Sequence, residues 1–244
     1  MTPKLRKADK VLAPYPLNKF PEELVVSVAK DLILARYIQG TDVFEGSSWE
    51  HSFARAIGAT WKPSNVGLDD IVLGNCCWGA KTVKSARPKT QPSVRLISGR
   101  NSLDYSYETS DVRSMPPGEV GKLVLDIWNA RVSQIRQKFQ HARTVVLLKG
   151  PKLLSGAIFE FELLRVEIEL VTWSWNNQRN LEGHVDGQHR FTWQPHGAQF
   201  TMIEPITDRV SFSIQLPQNI APYNAETLLK EIGYSKSWIK VEAK

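Results

Sequence analysis

A chain of 244 residues that is 42% hydrophobic and 23% charged is long enough to bury a large core, which excludes a disordered or fibrous protein. Its 31 Lys plus Arg against 25 Asp plus Glu leave a net charge of +6, a balance that tilts towards polyanionic partners. The cysteines are the neighbours Cys76 and Cys77, which excludes a disulfide framework and CxxC metal knuckles and suits a reducing, cytoplasmic setting. The basic stretch 1–20 lacks the apolar centre of a signal peptide, and no run approaches the roughly 20 apolar residues of a membrane span, so no membrane partner is expected.

Apolar residues recur at helical spacing over 21–38 (Leu24, Val25, Val28, Ala29, Leu32, Ile33, Ala35), predicting an amphipathic helix after a proline-punctuated arm. A second helix is expected over 49–58, with Ser47 or Ser48 as its cap, Glu50 near its N-terminus and Gly58 at its end. Residues 68–84 read as a hairpin: a strand opening on Asp69-Asp70, a Gly74-Asn75 turn, and a second strand carrying Lys81 and Lys84. Two prolines in a polar, basic stretch make 85–93 a loop, 94–97 a short strand follows, and 98–102 turns before 103–108. The clearest helix runs over 119–140, with Val120, Leu123, Val124, Ile127, Trp128, Val132, Ile135 and Phe139 along one face. The apolar run from Thr144 to Leu148 is a strand buried on both faces.

Beyond that strand the pattern changes. Apolar and acidic residues alternate over much of 158–170 and the alternation continues over 171–175, giving strands with one wet face. Residues 176–184 read as a polar turn, and 190–203 as a further strand pair. Trp173 and Trp175 share a strand face and are expected in the core. The chain divides into a helical arm (1–44), a core (45–150) and a β-rich part (151–244), with a boundary near Gly150-Pro151 weak enough for the last two to be one domain.

The hairpin has chemical content. Strands of a tight hairpin run about 4.8 Å apart, so an aspartate at the mouth of one and a lysine on the next can converge on one point. Aspartate is a hard oxygen ligand suited to Mg²⁺, which takes one or two carboxylates together with water and phosphate oxygens. Lysine can orient or deprotonate an attacking water and offset charge building on a phosphorane. The bland reading of the same residues is a surface turn with solvated charges. Lys84 lies three residues beyond Lys81 and so on the opposite strand face; the closeness of Lys81 to the turn favours it.

The order of elements is a helix bearing Glu50, a strand opening at Asp70, a hairpin strand with Lys81, a strand, a long helix and a buried strand. It resembles the core of the PD-(D/E)xK nucleases, type II restriction endonucleases in particular, over roughly residues 45–150. The resemblance implies an α/β fold with a restriction-endonuclease-like central mixed β-sheet flanked by helices and a β-rich C-terminal part. It implies sequence-specific, Mg²⁺-dependent hydrolysis of double-stranded DNA by a homodimer, with Asp70 as metal ligand and Lys81 as the catalytic lysine. Two positions depart from the family pattern. Asp69 stands where proline is common, and Gly79 stands where an acid is usual, two residues before the lysine. Some members of this superfamily relocate that carboxylate, and Glu50 is the first candidate to replace it as a catalytic metal ligand, ahead of Glu108 and Glu119. If no acid does so, the alternative is a sequence-specific DNA-binding protein on a decayed nuclease scaffold.

A restriction-type enzyme must read base edges, for which Arg, Asn and Gln are suited. Candidates are Arg100 and Asn101, the turn Asn177-Gln178-Arg179-Asn180, and Gln194, His196 and Gln199, although polar turns are common without a ligand. Lys84, Arg87 and Lys89 suit phosphate contacts, against a default of solvated loop charges. His184, His189 and His196 with Asp186 are metal-capable types, but their spacing matches no strong ligand pattern. There is no Walker A, GxGxxG or GxSxG motif to support a small-molecule enzyme.

Overall fold

The structure, a computed structural model, describes residues 12–38, 42–62, 67–217 and 223–240. In chain order the elements are α1 (Glu22–Ile38), α2 (Gly46–Ala56), β1 (Thr60–Trp61), β2 (Ile71–Leu73), β3 (Cys76–Lys84), β4 (Ser93–Arg100), α3 (Leu103–Tyr107) and α4 (Pro117–Lys138). Then come β5 (His141–Lys149), β6 (Ser155–Glu162), β7 (Thr172–Trp175), β8 (Leu181–Val185), β9 (Gln188–Gln194), β10 (Gln199–Pro205), β11 (Val210–Ser213) and α5 (Ala225–Glu231). They form a six-stranded sheet, order β1-β2-β3-β5-β6-β11, and a five-stranded sheet, order β4-β10-β9-β8-β7. The first sheet is mixed, because β3 and β5 run parallel while the other pairs are antiparallel. A parallel pair needs a crossover, and α4 lies in this one. The fold is therefore α/β, with one mixed and one antiparallel sheet and helices against them.

Alternation along β3 sorts the core into layers. Cys76, Trp78 and Ala80 face α1 and α2, packing with Leu24, Val28, Trp49 and Phe53. Cys77 faces the other way, into a cluster that unites Ala142 of the first sheet with Leu181, Phe191, Trp193 and Phe200 of the second. Val120, Val124, Trp128 and Val132 of α4 belong to the same cluster, which makes that helix the layer between the sheets. Val83, further along β3, packs with Val94 and Leu96 of β4. The central strand β5 is buried from Ala142 to Lys149, as its apolar run predicts.

Several expectations are corrected. Strands from both sides of Gly150-Pro151 share each sheet: β6 and β11 complete the first, and β4 leaves the expected core to edge the second. The alternation over 158–170 ends as a strand at Glu162, because α4 captures the next segment. Arg136 donates to Leu163 O at 2.8 Å, and the Asn129 amide takes both Val166 O and Val166 N, at 2.9 and 2.7 Å. Residue 45, not Ser47 or Ser48, caps α2, and it makes no side-chain cap bond. The polar turn ends at Asn180, and 181–185 is strand β8. Among the described residues, no helix is long and apolar enough to cross a membrane.

Candidate functional site

Asp70 stands one residue before β2, and its carbonyl accepts a 2.7 Å hydrogen bond from the Lys62 amide. That bond extends the β1–β2 ladder one rung past the Trp61–Ile71 pair, so alternation turns the Asp70 side chain to the face of Val72. Val72 is paired with Cys77 and packs in the same cluster, and Gly79 and Lys81 follow Cys77 on that face. Asp70, Gly79 and Lys81 therefore lie on one side of the first sheet. Along it α4 covers Cys77 and β4 covers Val83, and Gly79 and Lys81 fall between the two. Asp70 is 5% exposed, and Lys81 is half-buried.

Gly79 leaves no room for a carboxylate. A Cβ there would lie 2.9 Å from Gly67 O and 3.3 Å from Leu68 Cα, so backbone fills the place that the family resemblance gives to an acid. Gly67 has a φ of +66°, a left-handed conformation that glycine adopts without steric cost. A Cβ on Gly67 would stand 3.9 Å from Lys81 Nζ, so the same loop passes beside the lysine ammonium.

Asp69 is a second carboxylate on the same segment, next to Asp70 in sequence. Its Oδ1 is buried and has no hydrogen-bond partner among the described residues, an arrangement that costs free energy unless a cation or water serves the oxygen. Its charge also reaches into the core: burial first, and Asp69 second, push the Cys77 thiol up to about 12. Sequence reasoning passed over this residue by treating it as a degenerate proline position. The signal available was the pair of adjacent aspartates.

Glu50 is not part of this arrangement, which corrects its assignment as the replacement ligand. It lies on α2, whose Trp49 and Phe53 pack on the Trp78 face of the sheet, opposite to Lys81. Its Oε2 accepts a 3.0 Å hydrogen bond from Trp61 Nε1 of β1. Glu108 closes α3 with a φ of 54°, Glu119 lies in the first turn of α4, and both are exposed.

The recognition candidates separate into two groups at opposite ends of β4. Gln199 pairs with both Arg100 and Gln194, and the preceding row joins Trp175, Leu181, Trp193, Phe200 and Gly99. Arg100, Gln194, Gln199, the β9–β10 turn with His196 and the β7–β8 turn with Asn177, Gln178, Arg179 and Asn180 thus share one end of the antiparallel sheet. Asn176 builds the second of these turns, its Oδ1 accepting from the amides of Gln178 and Asn180 at 2.9 Å each. Asn177, Gln178 and Arg179 are left exposed on it. His196 is exposed beside a cavity of about 390 Å³ lined also by Asp104, Asp111, Arg113 and Trp193. Lys84, Arg87 and Lys89 are exposed at the other end, before β4 begins. Eight strand residues separate the groups, about 25 Å at strand rise.

Asn101 drops out of the recognition set. It is fully buried, its Nδ2 donates to Val124 O at 2.8 Å, and its carbonyl accepts from Trp193 Nε1 at 3.0 Å. It joins α4 to the antiparallel sheet and offers no edge to a base. Comparison with family models, with curated proteins and with solved structures finds no match to this chain.

Proposed function

We propose that this chain is a Mg²⁺-dependent endodeoxyribonuclease of the restriction type, with a restriction-endonuclease-like core, cutting double-stranded DNA at a specific sequence. One observation carries the reading. Asp70 and Lys81 share a face at adjoining antiparallel strands, within a run α2-β1-β2-β3-α4-β5 whose sheet order is β1-β2-β3-β5 with the last pair parallel. It follows the order of elements on which the PD-(D/E)xK resemblance rests, except that the strand ahead of the long helix, β4, lies in the second sheet and α3 precedes α4.

The donor set fits a magnesium ion. Asp70 and Asp69 are consecutive carboxylates, and Asp69 has a buried oxygen without a hydrogen-bond partner among the described residues; such hard oxygens are what Mg²⁺ combines with water and phosphate. Bound there, the ion supplies Lewis acidity to a phosphoryl oxygen. Lys81 carries the other half of the chemistry: its N–H groups orient the attacking water, and its charge offsets the negative charge that grows on the phosphorane. The basic loop with Lys84, Arg87 and Lys89 holds backbone phosphates, and the sheet end with Arg100, Gln194 and Gln199 reads bases. A two-fold symmetric duplex target suits a homodimer.

Gly79 favours a second reading, a sequence-specific DNA-binding protein on a nuclease scaffold that does not cut. Incubating supercoiled plasmid with Mg²⁺ or Mn²⁺ separates the two. Cleavage by the wild type, lowered at least about 100-fold in Asp70→Asn and in Lys81→Ala, supports the nuclease. Equal cleavage by all three proteins rejects the site, and salt-sensitive duplex binding with no cleavage selects the second reading.

A further inference from the structure

The antiparallel sheet carries a second cluster of ligating side chains, remote in sequence from Asp70 and Lys81. We propose that Glu182, His184 and His189 form a three-ligand site for a divalent transition ion of the zinc class on the outer face of that sheet. One ligating atom from each of the three lies within 4.8 Å of the other two, and all three side chains are partly buried.

The strand geometry builds this site. Glu182 and His184 are two residues apart on β8 and share a face. His184 pairs with His189 on β9, but a bulge intervenes, since Gly183 pairs with Phe191 and Arg190 is left without a rung. The extra residue re-aims His189. Without it, His189 would follow Phe191 and Trp193 into the core; with it, the ring lies beside Thr192 on the outer face. The two imidazoles end up stacked, centroids 5.1 Å apart and planes at 28°.

The surrounding hydrogen bonds are those that ligands need. His189 Nε2 is 2.8 Å from Phe191 O, a carbonyl that can only accept, so this nitrogen carries the proton and Nδ1 is left with its lone pair for a metal. Thr192 Oγ1 is 3.0 Å from the same nitrogen and itself accepts from Arg95 at 3.1 Å. Asn176 donates to Glu182 Oε1 at 2.7 Å, which orients the carboxylate and leaves Oε2 as the ligand oxygen. Two imidazoles with one carboxylate favour zinc-class ions over magnesium, and a three-ligand set keeps a fourth position for water. The ion would clamp β8 to β9 where the bulge interrupts their ladder. Of the residues first considered for a metal, His196 and Asp186 lie outside the cluster, and Glu182 replaces them.

The experiment is calorimetric titration of the untagged, chelator-treated full chain with ZnCl₂, repeated on Glu182→Gln and on the His184→Ala/His189→Ala double variant. The expected result is one equivalent of Zn²⁺ per wild-type chain, binding at least tenfold weaker in Glu182→Gln and lost in the double variant. Co²⁺ in place of Zn²⁺ should give a four-coordinate d–d spectrum without thiolate charge-transfer bands, which separates this site from Cys76 and Cys77. Zn²⁺ should raise the melting temperature of the wild type and leave that of the double variant unchanged, a readout taken on folded protein in both cases. Absence of stoichiometric binding by the wild type, or undiminished binding by the double variant, overturns the proposal. Asp70→Asn should bind Zn²⁺ as the wild type does, so the fate of this site is independent of the nuclease reading.

Discussion

A side chain at position 79 would collide with backbone, which is harder to move than the end of another side chain. Gly79→Glu writes in the acid that the PD-(D/E)xK resemblance expects at this position, yet Gly67 O and Leu68 Cα stand 2.9 and 3.3 Å from the first atom it adds. The expected outcome is a fall in stability of about 1–3 kcal/mol in urea denaturation and no gain in plasmid cleavage. A variant that is as stable as wild type and cuts faster would mean that the 67–68 loop yields to an acid there. The neighbouring thiols make a second prediction. Cys76 and Cys77 are 2% and 0% exposed, and the Cys77 thiol is pushed up to about 12, so iodoacetamide at pH 8 should label neither until the chain unfolds. Mass spectrometry of native and denatured samples checks this, and rapid native labelling would contradict the packing of β3. The Asp70–Lys81 pair was legible in the sequence because the Gly74-Asn75 turn and strand alternation are local. The meaning of Gly79 and Asp69 was not, because a loop crossing over β3 decides it, and nothing in the local pattern announces that crossing.

Helix α4 is the element on which both sheets depend, and its 3–4 residue apolar spacing made it readable. Its polar side chains were harder to read. Asn129 is buried within the helix and bonds both backbone groups of Val166, which ties the segment after Leu163 to α4. The alternating composition of that segment suits a strand, and a tertiary partner overrides it. Asn129→Ala removes both bonds and leaves the Val166 groups without them. The expected cost is about 1–3 kcal/mol by denaturant titration, with faster amide hydrogen exchange confined to 163–170. Unchanged stability would show that the segment is held by its apolar contacts, chiefly Leu163. The short strands β1 and β11 escaped the sequence reading for a related reason: the strands they pair with define them.

At the scale of the whole molecule, the chain weaves its two sheets together, and a cut at the expected boundary tests this. A fragment ending at Gly150 lacks β6 and β11 and so exposes the long edge of β5. It also loses Glu160, which is 1% exposed and pairs with Arg143 at 2.8 Å while accepting from Trp78 Nε1 at 3.0 Å. Arg143 is 4% exposed, so removing its partner leaves a cation in the core with its main charge compensation gone, a loss of about 3–5 kcal/mol on its own. The 1–150 fragment is therefore expected to be unfolded or aggregated, with no cooperative melt. A cut after residue 217 is a different matter. Of the described residues beyond it, α5 and its flanks bury none, and Ile232, Trp238 and Ile239 are largely exposed. That truncation should leave circular dichroism and the melting temperature within about 3 °C of the full chain, because a tail whose described residues are none of them buried contributes little to ΔG. A cooperative melt from the 1–150 fragment would restore the two-part division of the chain. A collapse of the 1–217 protein would mean that the C-terminal residues hold the fold through contacts other than burial, such as the Tyr223 amide on Tyr37 O.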